Sequence, residues 1–314
     1  MNGTMHAVRG HRRGGPEELM YEVAPKPVPG PGDVLVEVRA ASVTQGELGW
    51  DATWTDSFDG GGSTRLPIVP SKEVSGVVAE LGHGVADFRP GEAVYGLIPF
   101  TRDGAAAEYV TVPAADLAAK PGSLDHERTA ALPLAGLTAW QGLVAHAGIA
   151  PGQRVLVHGG AGGVGSFAVQ VAAALGAEVA ATAAARDADF VRGLGAETVI
   201  DYAGQRFEAE VKDADIVFDT VGGDTQARSW QVLRPGGVLV SVVAPSAPPD
   251  GADARAVFFV VEPDRAGLEE LTALVEAGRL VPQVDRIVPL ESAPGAYAAL
   301  EREHRRGKIV LRVS

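Results

Sequence analysis

The run Arg154-Val-Leu-Val-His158, followed at once by Gly159-Gly-Ala-Gly-Gly-Val-Gly165, decides how this chain is read. The short apolar run predicts a buried strand, the glycines a tight turn, and residues 166–175 a helix. Gly160, Gly162 and Gly165 fit the G-x-G-x-x-G spacing without gaps. That spacing has a mechanical meaning: one glycine makes the turn, one admits a pyrophosphate, and one lets helix and strand pack closely. The helix N-terminus then offers free backbone N–H groups and the positive end of its dipole. In a chain with 40 glycines the spacing alone is weak. A strand before it and a helix after it turn it into a dinucleotide-phosphate site.

Moving outward, strand and helix alternate. Apolar runs at 178–182, 198–200, 216–219, 238–242 and 256–261 predict further strands, with helices at 187–194 and 225–233. Such β-α repeats imply a parallel, doubly wound α/β sheet of the Rossmann type, with ligands at the carboxyl ends of its strands. Upstream, residues 124–146 read as helical, with breaks near Pro133 and Gly136.

The end of the second strand bears on the choice of dinucleotide. NAD sites place a carboxylate there to hold the ribose 2′-OH. Here the chain reads Ala181-Thr-Ala-Ala-Ala-Arg186, and the first carboxylate is Asp187. The missing acid removes repulsion against a 2′-phosphate, and Arg186 can pair with one bidentately. Equally, Arg186 can be a solvated residue at a helix start, and Asp187 beside it weakens a phosphate site. The balance favours NADP.

Residues 5–112 look β-rich. Val34-Leu-Val-Glu-Val-Arg39 alternates, 74–80 and 92–95 are similar, and Gly/Pro turns separate them. This pattern suggests a small barrel or irregular sandwich. Between Gly46 and Arg65 lies a long loop holding Trp50, Trp54, Phe58 and Gly60-Gly61-Gly62. Its tryptophans either stack on a flat substrate or pin the loop to the barrel. At the far end, 266–277 and 293–302 read as helices, 280–289 as extended, and Lys308-Ile-Val-Leu-Arg312 as a last strand.

Composition excludes several function classes. Forty acidic against 27 basic residues give a net charge of −13, which disfavours nucleic acid or an anionic membrane as partner. No apolar run approaches the ~20 residues of a membrane span, and the basic N-terminal stretch 1–13 lacks the apolar core of a secretory signal. The chain has no cysteine, so disulfides and thiolate catalysis are impossible, and a cytoplasmic location is expected.

Several stretches together resemble the zinc-free quinone oxidoreductase (zeta-crystallin-like) branch of the medium-chain dehydrogenase/reductase superfamily. They are Ala40-Ala-Ser-Val-Thr44, Pro70-Ser-Lys-Glu-Val-Ser-Gly76, 85–96, Gly104-Ala-Ala-Ala-Glu-Tyr109, Leu132–Trp140, Val155–Gly165, Asp219-Thr-Val-Gly-Gly223 and Gly307-Lys-Ile-Val-Leu311. The resemblance runs through the whole chain in order. It implies a GroES-like β-rich catalytic domain at 1–122, completed by 264–314, and a Rossmann dinucleotide-binding domain at 123–263. Cofactor and substrate are then expected in the cleft between the domains. It also implies a homodimer, as is common in such relatives.

The departures from that family direct the chemistry. Zinc-dependent relatives use Cys near Gln45 and His in a Gly-His-Glu motif, which here reads Ser71-Lys72-Glu73. The structural zinc loop is absent as well, so no metal site of the family type is expected. Without a Lewis acid, what remains is hydride delivery to an electron-poor acceptor, a quinone or an α,β-unsaturated carbonyl. Thr44 and Lys72 are the candidates for steadying the developing oxyanion; alternatively, Lys72 only pairs with Glu47 or Glu73. The resemblance puts Gly160, Gly162, Gly163, Val164 and Gly165 near the pyrophosphate and Tyr202 near the adenosine. It sets Thr220 and Val221 beside the ribose, and Thr138, Val243, Phe259 and Val260 near the nicotinamide. Trp50 and Trp54 are the candidate substrate contacts. Two other readings stay open: a reductase of another carbonyl or enoyl thioester, and a non-catalytic NADPH-binding protein.

Overall fold

The computed structural model describes residues 3–59 and 61–313. Gly60 of the expected glycine run, and the first two residues of the basic N-terminal stretch, lie outside the described residues. The chain forms two compact units: Met1–Leu134 with Glu262–Glu276 and Pro282–Ser314, and Ala135–Val261 with Ala277–Val281. The division thus falls at Leu134, where the sequence placed it at 122/123.

The first unit opens with seven strands: β1 (Thr4–Gly10), β2 (Leu19–Pro25), β3 (Asp33–Val43), β4 (Glu73–Leu81), β5 (Ala93–Leu97), β6 (Tyr109–Pro113) and β7 (Leu117–Ala119). The helix His126–Ala130 packs on β3 and β4, and Asp125 caps it by accepting from the Arg128 N–H at 2.7 Å. Val34, Val36 and Val38 of β3 are fully buried in the apolar core.

The second unit holds β8 (Arg154–His158), β9 (Glu178–Ala183), β10 (Thr198–Asp201), β11 (Ala214–Asp219), β12 (Leu233–Ser241) and β13 (Ala254–Phe258). They form one parallel sheet in the order β10-β9-β8-β11-β12-β13. The order reverses at β8, and a doubly wound sheet opens its ligand crevice at such a reversal. Val155 to His158 are all buried, as expected of a central parallel strand.

The chain returns to the first unit with β14 (Val284–Pro289) and β15 (Lys308–Arg312). The larger sheet there runs β14-β15-β3-β4-β5-β7, with β6 also on β3. Two registers fix the polar residues at one end of this sheet. Ile309 lies opposite Val43, and Ser42 lies opposite Glu73. Lys308, Thr44 and Glu73 therefore meet at one end of three adjacent strands.

One expectation is corrected. A helix starts at Pro133, but it runs through Gly136 to Trp140 and on into a wider π-helical turn at Gln141–His146. Residues 130–139 are buried, and that packing outweighs a glycine cost of ~1 kcal/mol in a helix interior. Among the described residues, no helix is long and apolar enough to cross a membrane.

Candidate active site

The glycine turn of the second unit is built from backbone. Gly159 has φ 75°, the left-handed region that glycine enters without strain. Its N–H donates to Thr182 Oγ1 at 3.1 Å, and the Gly160 N–H donates to the Thr182 carbonyl at 2.9 Å, tying the turn to the end of β9. Gly162 precedes the helix Gly163–Ala174 and caps it without a side chain, so the first-turn N–H groups of Gly163, Val164 and Gly165 point past the helix end. A Cβ at Gly165 would stand 2.1 Å from the Gly159 carbonyl oxygen, while one at Gly162 would meet nothing nearer than 3.3 Å. Gly165 is thus the close-packing glycine, whereas Gly162 is the less confined of the two. Gly159, absent from the sequence-based assignment, makes the turn itself.

Beneath this turn lies a polar chain of determinate direction. Ser229 donates to the Thr225 carbonyl at 2.7 Å, so its oxygen accepts from His158 Nε2 at 2.9 Å. His158 Nδ1 then accepts from Thr182 Oγ1 at 3.2 Å, and Thr182 in turn accepts from Gly159. Burial drives the imidazole down to about 4, with Arg228 acting the same way and Asp219 and Glu208 opposing it, so it is neutral at pH 7. His158 is a satisfied core histidine under the glycine turn.

Asp219, fully buried at the end of β11, accepts from the N–H groups of Val221 and Gly222 at 2.9 Å each and from Ser241 Oγ at 3.0 Å. It shapes the turn that carries Thr220 and Val221; the Thr220 hydroxyl donates to the His158 carbonyl at 2.7 Å. Val221, Val243 and Val260 are exposed apolar side chains just past the ends of β11, β12 and β13, and the Phe259 ring lies 4.4 Å from that of His146. Arg186 is exposed past the end of β9, and Tyr202 is 64% exposed past the end of β10. Asp187 is only 1% exposed. The carboxylate that counted against a 2′-phosphate site is drawn into the fold, while its arginine neighbour stays at the surface. The structure thus brings the sequence-predicted cofactor residues to the carboxyl ends of one sheet, apart from Thr138, which is buried on the helix Pro133–Trp140.

In the first unit, the long loop proves to be folded. It forms a 3-10 turn at Glu47–Gly49 and a short helix at Asp51–Trp54, and closes with Thr55 bridged to Thr64. Arg65 donates to the carbonyls of Thr53, Thr55, Arg102 and Ala52 at 3.0, 3.1, 3.3 and 3.4 Å. Trp54 is 1% exposed and its indole N–H donates to the Leu48 carbonyl at 2.7 Å. A substrate has no face of Trp54 to stack on, so that assignment is corrected: Trp54 pins the loop. Trp50 is half-buried and meets Phe100 edge-on at 5.3 Å, and Phe58, largely exposed, meets the same ring at 6.1 Å.

The polar residues beside the loop form two ionic groups. Glu47 accepts from the Ser71 N–H at 2.6 Å and from the Tyr297 hydroxyl at 2.8 Å. Burial raises its carboxyl, opposed chiefly by the Lys72 charge. Lys72 is 1% exposed, and its ammonium donates to the Arg102 carbonyl. Burial brings that amine down to about 8, against the pull of Glu47. An amine so enclosed has no direct path to a substrate oxygen, which corrects its assignment as an oxyanion partner. Nor does it pair with Glu73. That carboxylate, fully buried, holds Lys308 Nζ at 2.5 Å and accepts from the Leu134 N–H at 3.0 Å. Lys308 also donates to Thr44 Oγ1 at 2.9 Å, and the half-buried Thr44 hydroxyl reaches Glu73 at 3.2 Å. Sequence reasoning read Lys308 as the start of a strand within a stretch resembling the family; the β15/β3 register, with Ile309 opposite Val43, is what brings it to Thr44.

Comparison with known proteins gives two family-model matches. An alcohol dehydrogenase GroES-like domain model matches residues 30–122, and a zinc-binding dehydrogenase model matches residues 194–311. A probable mitochondrial zinc-binding oxidoreductase of Arthroderma benhamiae is 33% identical over 94% of this chain and 93% of its own. A chloroplastic NADPH-dependent alkenal/one oxidoreductase of Arabidopsis thaliana is 35% identical over 78% of this chain and 64% of its own. The solved quinone oxidoreductase of Coxiella burnetii aligns over 99% of this chain and 100% of that one, with TM-score 0.88 and 31% identity. A Rossmann unit joined to a GroES-like unit defines the class as a two-domain oxidoreductase. The chain belongs to the medium-chain dehydrogenase/reductase superfamily, in its quinone oxidoreductase branch.

Proposed function

We propose that the chain is an NADPH-dependent, zinc-independent reductase that delivers hydride to a quinone or an α,β-unsaturated carbonyl. One observation carries the reading: a buried lysine, Lys72, stands in the Ser71-Lys72-Glu73 turn where zinc-dependent relatives have histidine. Its ammonium is buried and donates to the Arg102 carbonyl, and the imidazole that a zinc site of the family type needs at this position is missing. Gln45 accepts from Arg305 at 2.7 Å, and no cysteine exists to replace it. These residues do not fit a zinc ion of the family type, although the matching family model is named for a zinc-binding dehydrogenase.

The cofactor residues do fit a dinucleotide. The helix after Gly162 begins without a side-chain cap, so its first N–H groups can meet a phosphate, and the exposed Arg186 answers a 2′-phosphate with no opposing exposed acid at 181–187. Bound NADPH would supply the hydride. The protein's part is to hold the pyrophosphate on Gly160–Gly165, to steady the ribose with the turn at Thr220 and Val221, and to offer the Thr44 hydroxyl to the oxygen that gains charge. Trp50 and the exposed Phe58, both edge-on to the buried Phe100, give a flat acceptor an aromatic surface to lie against. The names of the alkenal/one and quinone oxidoreductase relatives agree with this acceptor class.

The test is depletion of absorbance at 340 nm with a panel of quinones and enones, with NADPH and NADH in parallel. Turnover with NADPH at a KM well below that for NADH supports the proposal. Comparable or lower KM for NADH removes the NADP assignment. Tight NADPH binding with no turnover of any acceptor would make the chain a cofactor-binding protein instead.

A further inference from the structure

The catalytic pairing that the sequence suggested, Thr44 with Lys72, is not the one the fold builds. Lys72 spends its ammonium on the Arg102 carbonyl, and the cation on Thr44 is Lys308. We infer that Lys308 is a positioning residue that arms the Thr44 hydroxyl as the hydrogen-bond donor to the acceptor's developing oxyanion.

The distances within the cluster carry the argument. Glu73 Oε2 takes Lys308 at 2.5 Å, and its other oxygen takes the Leu134 N–H at 3.0 Å, so the carboxylate is satisfied without Thr44. The Thr44 hydroxyl reaches that same Oε2 at 3.2 Å. Hydroxyl-to-carboxylate bonds normally close to about 2.5–2.7 Å, so this one is weak and its proton is loosely held. The donation into Thr44 is the opposite case: an ammonium at 2.9 Å, within the ordinary range for a charge-assisted bond. A donor bond into a hydroxyl oxygen draws electron density from its O–H and strengthens that O–H as a donor in turn. Lys308 is 5% exposed and Glu73 fully buried, so the polarisation acts at low dielectric. Thr44 alone of the three is half-buried, and its hydroxyl is the member able to meet a ligand.

The order of events balances without any further reagent. Hydride reaches the acceptor carbon, and the electron pair moves to the acceptor oxygen. The Thr44 O–H turns from Glu73 to that oxygen, while Lys308 keeps both Thr44 and Glu73. The product oxygen then takes its proton from water. This inference rests on the reductase reading above, because it needs an acceptor oxygen that becomes negative.

Lys308→Met alone would strand Glu73 as an unpaired buried carboxylate, so the informative variant is Glu73→Gln/Lys308→Met, which removes both charges together. Three proteins are compared with the parent on the best quinone or enone of the panel: Thr44→Val, the double variant, and the triple combination. KM, kcat and NADPH affinity are measured for each, with circular dichroism to confirm folding. Thr44→Val should lower kcat on the order of 10²-fold, as loss of one oxyanion donor does, and the double variant about tenfold. NADPH affinity should stay within about threefold in all of them, and the triple variant should be no slower than Thr44→Val, since Lys308 acts only through that hydroxyl. A folded double variant with kcat within threefold of the parent overturns the role of Lys308. So does a triple variant slower than Thr44→Val by the full factor of the double. If the double variant does not fold, Thr44→Val decides the matter, because it leaves the ion pair intact: kcat within threefold of the parent overturns the inference. A parent that turns over no acceptor at all fails earlier, at the reductase reading.

Discussion

The glycine turn at Gly159–Gly165 and the ionic cluster at Thr44, Glu73 and Lys308 are built from opposite materials. The first uses backbone N–H groups and the absence of side chains. Gly159 supplies a positive φ, Gly162 a helix start with no side-chain cap, and Gly165 a contact that admits no Cβ. The second uses full charges out of water, each held by a partner from a distant part of the chain. A backbone site is harmed by adding atoms, whereas a buried ionic site is harmed by removing a partner. The two regions should therefore fail in different ways.

The largest expected effect lies in the ionic cluster. Lys308→Met, leaving Glu73 buried without its cation, should cost about 3–5 kcal/mol of stability, read as the midpoint of urea unfolding. If Glu73→Gln/Lys308→Met is as unstable as the single variant, unpaired charge is not the cause and the contrast breaks down. Next comes the imidazole beneath the glycine turn. Its folded pKa of about 4 lies below the unfolded value of 6.5, so below pH 6.5 the unfolded chain binds the extra proton. Stability is lost as pH falls from 6.5 toward 4, by on the order of 3 kcal/mol from this group. His158→Gln should flatten that part of the pH–stability curve; an unchanged slope would mean that other groups carry it.

Smaller again is Gly165→Ala. Its new methyl must displace the Gly159 carbonyl, 2.1 Å away, at about 1–3 kcal/mol, with a fall in NADPH affinity. Gly162→Ala, whose methyl meets only the same oxygen at 3.3 Å, should cost clearly less fold stability. Equal unfolding midpoints for the two would mean that close packing is not what Gly165 provides. The smallest effect is at the surface. Arg186→Ala should raise the KM for NADPH about tenfold, the equivalent of one charge-assisted bond, and leave that for NADH unchanged. An equal rise for both cofactors would detach Arg186 from the 2′-phosphate.

The same contrast explains what could be read from the amino-acid order. The strand–glycine–helix unit spans 154–174 without interruption, so its roles are spaced along one stretch and legible there. The parallel sheet was legible for the same reason, with a helix before most of its later strands. The ionic cluster draws on Thr44, Glu73 and Lys308, and only the β15/β3/β4 registers bring them together. Local chemistry pointed to Lys72 because it sits in a motif. It could not show that burial and the Arg102 carbonyl would occupy that amine. Trp54 was ambiguous for a related reason: an aromatic in a loop looks the same whether its face meets solvent or Gly10, whose Cβ position lies 3.0 Å from its ring.

The closure of the long loop has a consequence for how acceptor preference can diverge. Arg65 grips four carbonyls, and the Thr55–Thr64 bridge with the Asp56–Ser63 contact (2.7 Å) forms a neck. Insertions or deletions beyond that neck add little closure entropy and leave the barrel's hydrogen bonds untouched. Phe58 rides on the segment beyond the neck, whereas Trp50 and Trp54 sit before it. The tip that carries Phe58 can therefore change in length or sequence while the frame that holds Trp50 and Trp54 stays as it is.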